Sequence, residues 1–257
     1  MIHIMKLKEQ YFNCIKDGSK KYEIRLNDEK RQLIKVGDFI EFQKEPELKD
    51  KIIVKVEELL YFNNFNELLN TLDISLLAPS NVSKEDLNND LNRFYPIDKQ
   101  EQCGVLAINL NKDIIINNTN INTIDYNDSI FDTFKNNYSD FNSWFNKMKE
   151  QNIDVYYTKK DNQLTSIMIL KLNEKDSLQF NKEGNILKLR SFIVKDKNKG
   201  IGKLYLNIMN EIAISNNIDY IYLTVKETNN ELISFIEKNG FIKYGIYNDE
   251  YVYYKEL

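Results

Sequence analysis

Histidine occurs once in the 257 residues, at His3, and cysteine twice, at Cys14 and Cys103. A single histidine excludes a His-pair metal site, and excludes a Ser-His-Asp relay unless His3 itself serves. Two cysteines so far apart form neither a CxxC pair nor a zinc framework, so no metal is expected. A long apolar run is missing as well. The N-terminal MIHIMKLKEQ carries Lys6, Lys8 and Glu9, which fits neither a signal peptide nor a membrane span. Reduced cysteines and no targeting segment lead to the expectation of a soluble cytoplasmic protein. There is no excess of positive charge: the net charge of −4 argues against the whole molecule being a bulk nucleic-acid binder and leaves room only for a local basic face. The length favours two domains.

What is present is concentrated in Asn185 to Lys203, NILKLRSFIVKDKNKGIGK. Ile186 to Val194 is a branched, apolar run that reads as a buried strand. A basic turn with Gly200 and Gly202 follows, and from Lys203 the apolar residues take helical spacing. The first turn of a helix leaves backbone N–H groups unpaired and favours negative charge. With glycines that allow close approach and Lys195, Lys197, Lys199 and Lys203 around it, the turn is expected to hold a phosphate. It is neither GxGxxG nor GxxxxGK[ST]. Asp219 to Val225 reads as a further strand, Asn229 to Lys238 as a helix, and Asn239-Gly240-Phe241 as the start of a terminal hairpin.

This order of elements resembles the GNAT N-acetyltransferase family. The family's Arg/Gln-x-x-Gly-x-Gly/Ala is matched by Lys197-Asn198-Lys199-Gly200-Ile201-Gly202, with Lys197 in the Arg/Gln place. Its later Asn-x-x-Ala…Tyr…Gly-Phe is matched at Asn229, Gly240 and Phe241, with Leu232 in the Ala place and Ile236 in the Tyr place. The resemblance implies acetyl-CoA as co-substrate. Its diphosphate would lie on Lys197, Lys199, Gly200, Ile201, Gly202 and Lys203, its pantetheine on the edge of Phe192, Ile193 and Val194, with Asn229 beside it or acting as a helix cap. Acetyl transfer needs a free amine, a proton acceptor and a donor for the leaving thiolate. No acid lies between Ile186 and Val194, so no base is named. Tyr244 and Ser234 are the candidate donors, with Tyr247 a further hydroxyl nearby. Lys188 and Arg190 read as solvated strand cations or a greeting for an anionic substrate, and Trp144 with its phenylalanine neighbours reads as core.

Nearer the N-terminus, GSKKYEIR alternates apolar Tyr22 and Ile24 with Glu23 and Arg25, placing the charges on one strand face. KVGDFIEF gives a turn into another strand, Ile52 to Leu60 alternates, Phe65 to Leu72 and Ser83 to Phe94 read as helices, and GVLAINL closes the region as a buried strand. Short strands with glycine turns suggest a small barrel. Taken in order, these segments resemble the ASCH domain, whose Gly-x-Lys-x-x-Glu-x-Arg is met by Gly18, Lys20, Glu23 and Arg25. That resemblance implies a PUA-like barrel with an RNA- or nucleotide-binding cleft at Lys20, Glu23 and Arg25. Lys21, Lys30, Arg31 and Lys35 would line the groove and Tyr22 would offer a stacking surface. Some small members resemble an amidohydrolase acting on 4-acetylcytidine with a lysine like Lys20, but carry Thr where Glu23 stands.

The expected fold is α+β: an ASCH PUA-like β-barrel at 1–111, a linker at 112–120 and a GNAT mixed-sheet domain at 121–257, its first strand near Ile121 to Tyr126. Ser129 to Gln151 is read as helical with a break near Asn137, and Val155 to Tyr157 and Leu164 to Leu172 as a strand pair. The function implied is acetyl-CoA-dependent N-acetylation of an amine beside an RNA- or nucleotide-binding barrel. The alternatives are a non-catalytic acetyl-CoA sensor and an amidohydrolase in the barrel. Acceptor and oligomeric state are not encoded legibly.

Overall fold

The structure is a computed structural model and describes residues 1–174, 179–195 and 200–257. The chain divides into two α+β units, Met1–Asn118 and Thr119–Leu257. No helix among the described residues is long and apolar enough to cross a membrane.

The first unit runs β1 (Ile2–Leu7), α1 (Glu9–Lys16), β2 (Tyr22–Leu26), β3 (Phe39–Lys44), β4 (Lys51–Phe62), α2 (Phe65–Thr71), α3 (Lys84–Phe94), α4 (Ile97–Cys103) and β5 (Val105–Asn120). Ladders join β1 to β3 in parallel, and β3 to β4, β4 to β5 and β5 to β2 in antiparallel. The sheet curls around Met5, Phe42, Val56, Leu106 and Ile108, with Phe12 of α1 packed among them. Outside it, Phe65, Leu68, Leu87 and Leu91 of α2 and α3 cover Tyr22, Ile24 and Leu26 of β2. Helix α3 starts where the sequence predicts, because Ser83 accepts a hydrogen bond from the Asp86 N–H. Among the described residues no ladder joins β1 to β2, so the barrel keeps an open seam. There Arg25 Nη2 of β2 donates to the Lys6 carbonyl of β1 at 3.1 Å.

The stretch 112–120, expected to be a linker, is instead the second half of β5: Ile115, Ile116 and Asn118 pair with Val54, Ile53 and Lys51 of β4. Ile116 is fully buried. The polar residues around the isoleucines belong to a half-exposed ladder, a composition shared with loops. The strand expected at Ile121 to Tyr126 is a single 3-10 turn, Ile121–Thr123, capped by the Asn120 side chain. Ile121 and Ile124 enter the second core there.

The second unit runs α5 (Asp132–Asn137), α6 (Phe141–Glu150), β6 (Asp154–Lys160), β7 (Gln163–Lys171), β8 (Ile186–Val194), α7 (Ile201–Ser215), β9 (Tyr220–Lys226), α8 (Asn230–Lys238), β10 (Ile242–Tyr247) and β11 (Glu250–Glu256). The helices break at Tyr138, next to the expected Asn137. Strands β6, β7 and β8 form an antiparallel meander, and β9, β11 and β10 pair antiparallel in that order. Between the two sets, β8 and β9 run parallel and are paired only over Ile186–Lys188 and Tyr220–Tyr222. One face of the sheet carries α5 and α6: Phe131 just before α5 and Phe141, Phe145 and Met148 of α6 pack on Val155, Ile167 and Ile169. The other face carries α7, which presents Ile201, Tyr205, Ile208 and Met209 in a buried stripe of helical period.

Candidate functional site

The parting of β8 and β9 creates the site of the second unit. Beyond Lys188 and Tyr222 the strands diverge, so from Leu189 to Val194 β8 is paired with β7 alone. A register shift against Ile169 and Leu170 makes Arg190 the extra residue of a β-bulge. A cavity of about 630 Å³ fills the gap.

Side chains of directly paired residues share a face of the sheet, which fixes the two mouths of the cavity. Ser191 lies opposite Ile169, Lys188 opposite Lys171 and Tyr222, and Glu250 opposite Lys226. All of these therefore face α5 and α6, where Phe134, Tyr138 and Trp144 line the same cavity as Lys188, Ser191, Lys226 and Glu250. Leu189, Phe192, Leu223 and Val225 are on the opposite face with Asn229 and Leu232. There the Phe192 ring meets Tyr205 at 6.0 Å and Phe235 at 5.8 Å. The cavity thus passes through the sheet, with an aliphatic mouth under α7 and α8 and an aromatic, charged mouth under α5 and α6.

Of the sequence-predicted cofactor residues, Phe192 and Asn229 line the cavity. Gly200 is the N-cap of α7 with φ +73°, a left-handed conformation in which glycine carries no steric penalty. An added Cβ there meets nothing within 4 Å, so the position is open. Gly202 has another reason: a Cβ would lie 3.2 Å from Phe235 Cζ, and glycine lets α7 settle against α8 and β8. Ile201 is buried and Lys203 is exposed in the first turn. Lys197 and Lys199 lie outside the described residues. Phe192 lines the cavity, Ile193 packs toward the α6 core and Val194 pairs with Ser166. Asn229 caps α8 by accepting from the Leu232 N–H and also lines the cavity, so both of its sequence readings hold geometrically.

The expected proton donors are elsewhere. Tyr244 is an exposed residue of the edge strand β10, donating to Asn181 and packing on Phe180, and Ser234 is exposed on α8. Neither lines the cavity. Tyr247 packs with the Phe180 and Tyr222 cluster, and Ile236, in the family's Tyr place, is core. The phenol that lines the cavity is Tyr138, whose Oη donates to Glu250 Oε1 at 2.7 Å across 112 residues. Burial and then the hydrogen bond to Glu250 raise its pKa. The sequence signals for Tyr138 were its place in the aromatic run of 129–151 and the helix break beside it, and Glu250 had none. The aromatic run divides: Phe131 and Phe145 are core as read, while Phe134, Phe141 and Trp144 also line the cavity.

Lys188 and Arg190 are not solvated strand cations. Lys188 Nζ meets the Gln179 amide oxygen at 2.5 Å and lies 5.1 Å from the Tyr222 ring centroid. Arg190 Nη2 lies 3.4 Å from Glu174 Oε2, an oxygen that Lys171 holds at 2.7 Å. Burial, helped by Arg190 and Lys171 and opposed by Glu174 and Glu250, pushes the Lys188 ammonium down to about 8. A lysine depressed in the fold penalises the folded state below its folded pKa, and the penalty fades as pH rises toward the unfolded value near 10.4. Lys188→Gln should therefore raise stability at pH 7 by roughly 1–2 kcal/mol and leave it unchanged near pH 10.5. Urea titrations of both proteins at the two pH values check this; equal stability at pH 7 contradicts it.

In the first unit a cavity of about 770 Å³ lies along the seam, lined by Ile4 to Leu7 of β1, by Lys8 after it and by Lys20, Glu23 and Arg25. Glu23, 4% exposed, lies between two cations: Oε2 is 3.5 Å from Lys20 Nζ, and Oε1 is 2.8 Å from Arg25 Nε, off the line of that N–H. Lys20 Nζ also donates to the carbonyls of Tyr22 and Leu77, and burial lowers its pKa against the pull of Glu23. The alternation expected from the sequence is present, but the charged face is a buried wall. Lys30 and Arg31 line the cavity; Lys21 and Lys35 do not. Tyr22 is buried under the helices, and the aromatic surfaces are Tyr11, Phe94 and Tyr95. Among the described residues no cluster of His, Cys, Asp and Glu is arranged to hold a metal.

The ASCH domain family matches residues 5–114. A protein from Pyrococcus furiosus with a solution structure is 35% identical, over 43% of this chain and 96% of its own, with a TM-score of 0.36. PaiA N-acetyltransferase from Thermoplasma acidophilum, in complex with coenzyme A, is 18% identical over 49% of this chain and 79% of its own, with a TM-score of 0.38. An IAA acetyltransferase from Bacillus cereus is 14% identical over 55% and 98%, with a TM-score of 0.41. No curated protein matches the chain. The Gly18, Lys20, Glu23 and Arg25 motif, the seam it lines and the family match agree: residues 5–114 are an ASCH domain.

Proposed function

We propose that the second unit is a GNAT-type N-acetyltransferase that moves the acetyl group of acetyl-CoA to an amine, and that the ASCH barrel binds an RNA- or nucleotide-like ligand in its seam. The observation that carries the first part is the divergence of β8 and β9 after Lys188 and Tyr222, followed by the left-handed Gly200 at the start of α7. A parted parallel pair offers unpaired backbone groups to the amides of an extended pantetheine arm. The helix start beyond it suits a diphosphate. The cofactor then enters by the aliphatic mouth, and the amine meets the thioester from the aromatic one. The amine forms the new C–N bond, the C–S bond breaks, coenzyme A leaves as a thiolate that solvent protonates, and a backbone N–H on the free edge of β8 steadies the oxyanion. Glu250, with Tyr138 bonded to it, is the carboxylate placed to accept the amine's proton. For the barrel, the support is a deep seam with Lys20, Arg25, Lys30 and Arg31 beside three aromatic rings.

Acetyl-CoA is expected to raise the melting temperature of the full chain and, with a suitable amine or total tRNA, to release free thiol. The absence of both heat and thermal shift on titration removes this reading. Stabilisation without thiol release selects the sensor, which the buried Ile236 and the outlying Tyr244 and Ser234 favour.

A further inference from the structure

Among the described residues, the cations at the aromatic mouth outnumber the carboxylates that form ion pairs with them. Lys188 has a neutral amide as its near partner, and among the described residues no carboxylate forms a salt bridge with it. Arg190 shares the single carboxylate Glu174 with Lys171. Two buried polar atoms on the same stretch, Arg190 Nε and Ser191 Oγ, have no hydrogen-bond partner among the described residues, and Ser191 is 4% exposed. Buried groups left this way cost free energy unless something else meets them. The acids that line the mouth are Asp140 and Glu250. Glu250 already holds the Tyr138 hydroxyl, and both it and Glu174 act on Lys188 through space without forming an ion pair with it.

On the acetyltransferase reading, from which it follows, we infer that Lys188, Arg190 and Ser191 form an anion subsite, and that the acceptor is an amine which also bears a carboxylate or phosphate. Arg190 at the bulge presents its free Nε, Ser191 adds a hydroxyl donor, and Lys188 supplies a second charge on the same face. The depressed Lys188 pKa agrees, since a bound anion would stabilise the ammonium and raise that pKa toward its ordinary value. The acidic end of the mouth and the rings of Phe134 and Trp144 are left to the amine and the body of the acceptor.

Matched acceptors that differ only in the anion test this: 4-aminobutyrate against butylamine, and O-phosphoethanolamine against ethanolamine. Thiol release from acetyl-CoA is measured with each, together with the melting temperature of the full chain saturated with coenzyme A. In at least one pair the anionic member should have about tenfold higher kcat/KM or, without turnover, raise the melting temperature by about 3 °C more. The pair that responds separates carboxylate from phosphate. Arg190→Gln and Lys188→Gln should erase the preference, Lys188→Arg should keep it, and Ser191→Ala, which removes an unpaired hydroxyl without disturbing the fold, should weaken it. Equal or reversed behaviour within both pairs, in a chain that acetyl-CoA does stabilise, overturns the subsite and leaves the acetyltransferase reading standing. If acetyl-CoA has no effect that reading fails instead, and the melting shifts with the anionic compounds alone decide whether the subsite exists.

Discussion

Glu23→Ala should destabilise the ASCH barrel by roughly 3–5 kcal/mol, the cost of leaving buried cations without their carboxylate. Both Lys20 and Arg25 touch Glu23, and the Lys20 and Glu23 side chains are 2% and 5% exposed, so water does not replace the lost charge. Glu23→Gln should cost less, because an amide oxygen can still accept from Lys20. The pH dependence follows from Lys20. Its folded pKa is already lowered, by burial foremost, and Glu23 is the group that opposes the fall. Without Glu23 the ammonium is penalised more, so the mutant should regain stability relative to wild type as pH rises and Lys20 neutralises. The only tryptophan, Trp144, is in the second unit, so its fluorescence reports that unit. Urea unfolding should be followed by far-UV circular dichroism. A loss below about 1 kcal/mol, in the range of exposed pairs, would show that the triad is not a buried network.

Gly200→Glu should weaken acetyl-CoA binding roughly a hundredfold, since a carboxylate about 5 Å from a diphosphate costs about 3 kcal/mol at an effective dielectric of 20. Gly200→Ala separates charge from backbone. It meets no atom within 4 Å and bears only the left-handed φ of +73°, a stability cost of about 1 kcal/mol, with affinity nearly unchanged. Isothermal titration with acetyl-CoA reads both. Equal loss in the two variants would mean that the turn acts through its conformation; no loss in either would move the diphosphate away from α7.

Much of the fold was legible locally. Strand β8, the glycine turn, α7, β9 and α8 follow from periodicity and turn chemistry within short windows, and so does the Ser83 cap of α3. What the sequence did not show has a common cause. The stretch 112–120 has loop composition but pairs with β4 from 61 to 67 residues earlier, and a ladder is decided by its partner. Tyr244 and Ser234 were reasonable hydroxyls by sequence distance, but β10 is an edge strand, and that puts Tyr244 beside Phe180 and outside the cavity.

By itself the sequence determined that there are two α+β units, where the charged strand of the barrel and the glycine turn fall, and which residue types are too scarce for metal or triad chemistry. Tertiary structure decided the rest: that β8 and β9 part after three pairs, that Arg190 is a bulge, that Glu250 and Tyr138 meet, that Glu23 is buried and that Lys188 is half-buried. The reason is the range of the forces involved. Backbone preference and apolar periodicity act over a few residues and are written in order along the chain, whereas burial and charge balance depend on what distant segments bring to the same place.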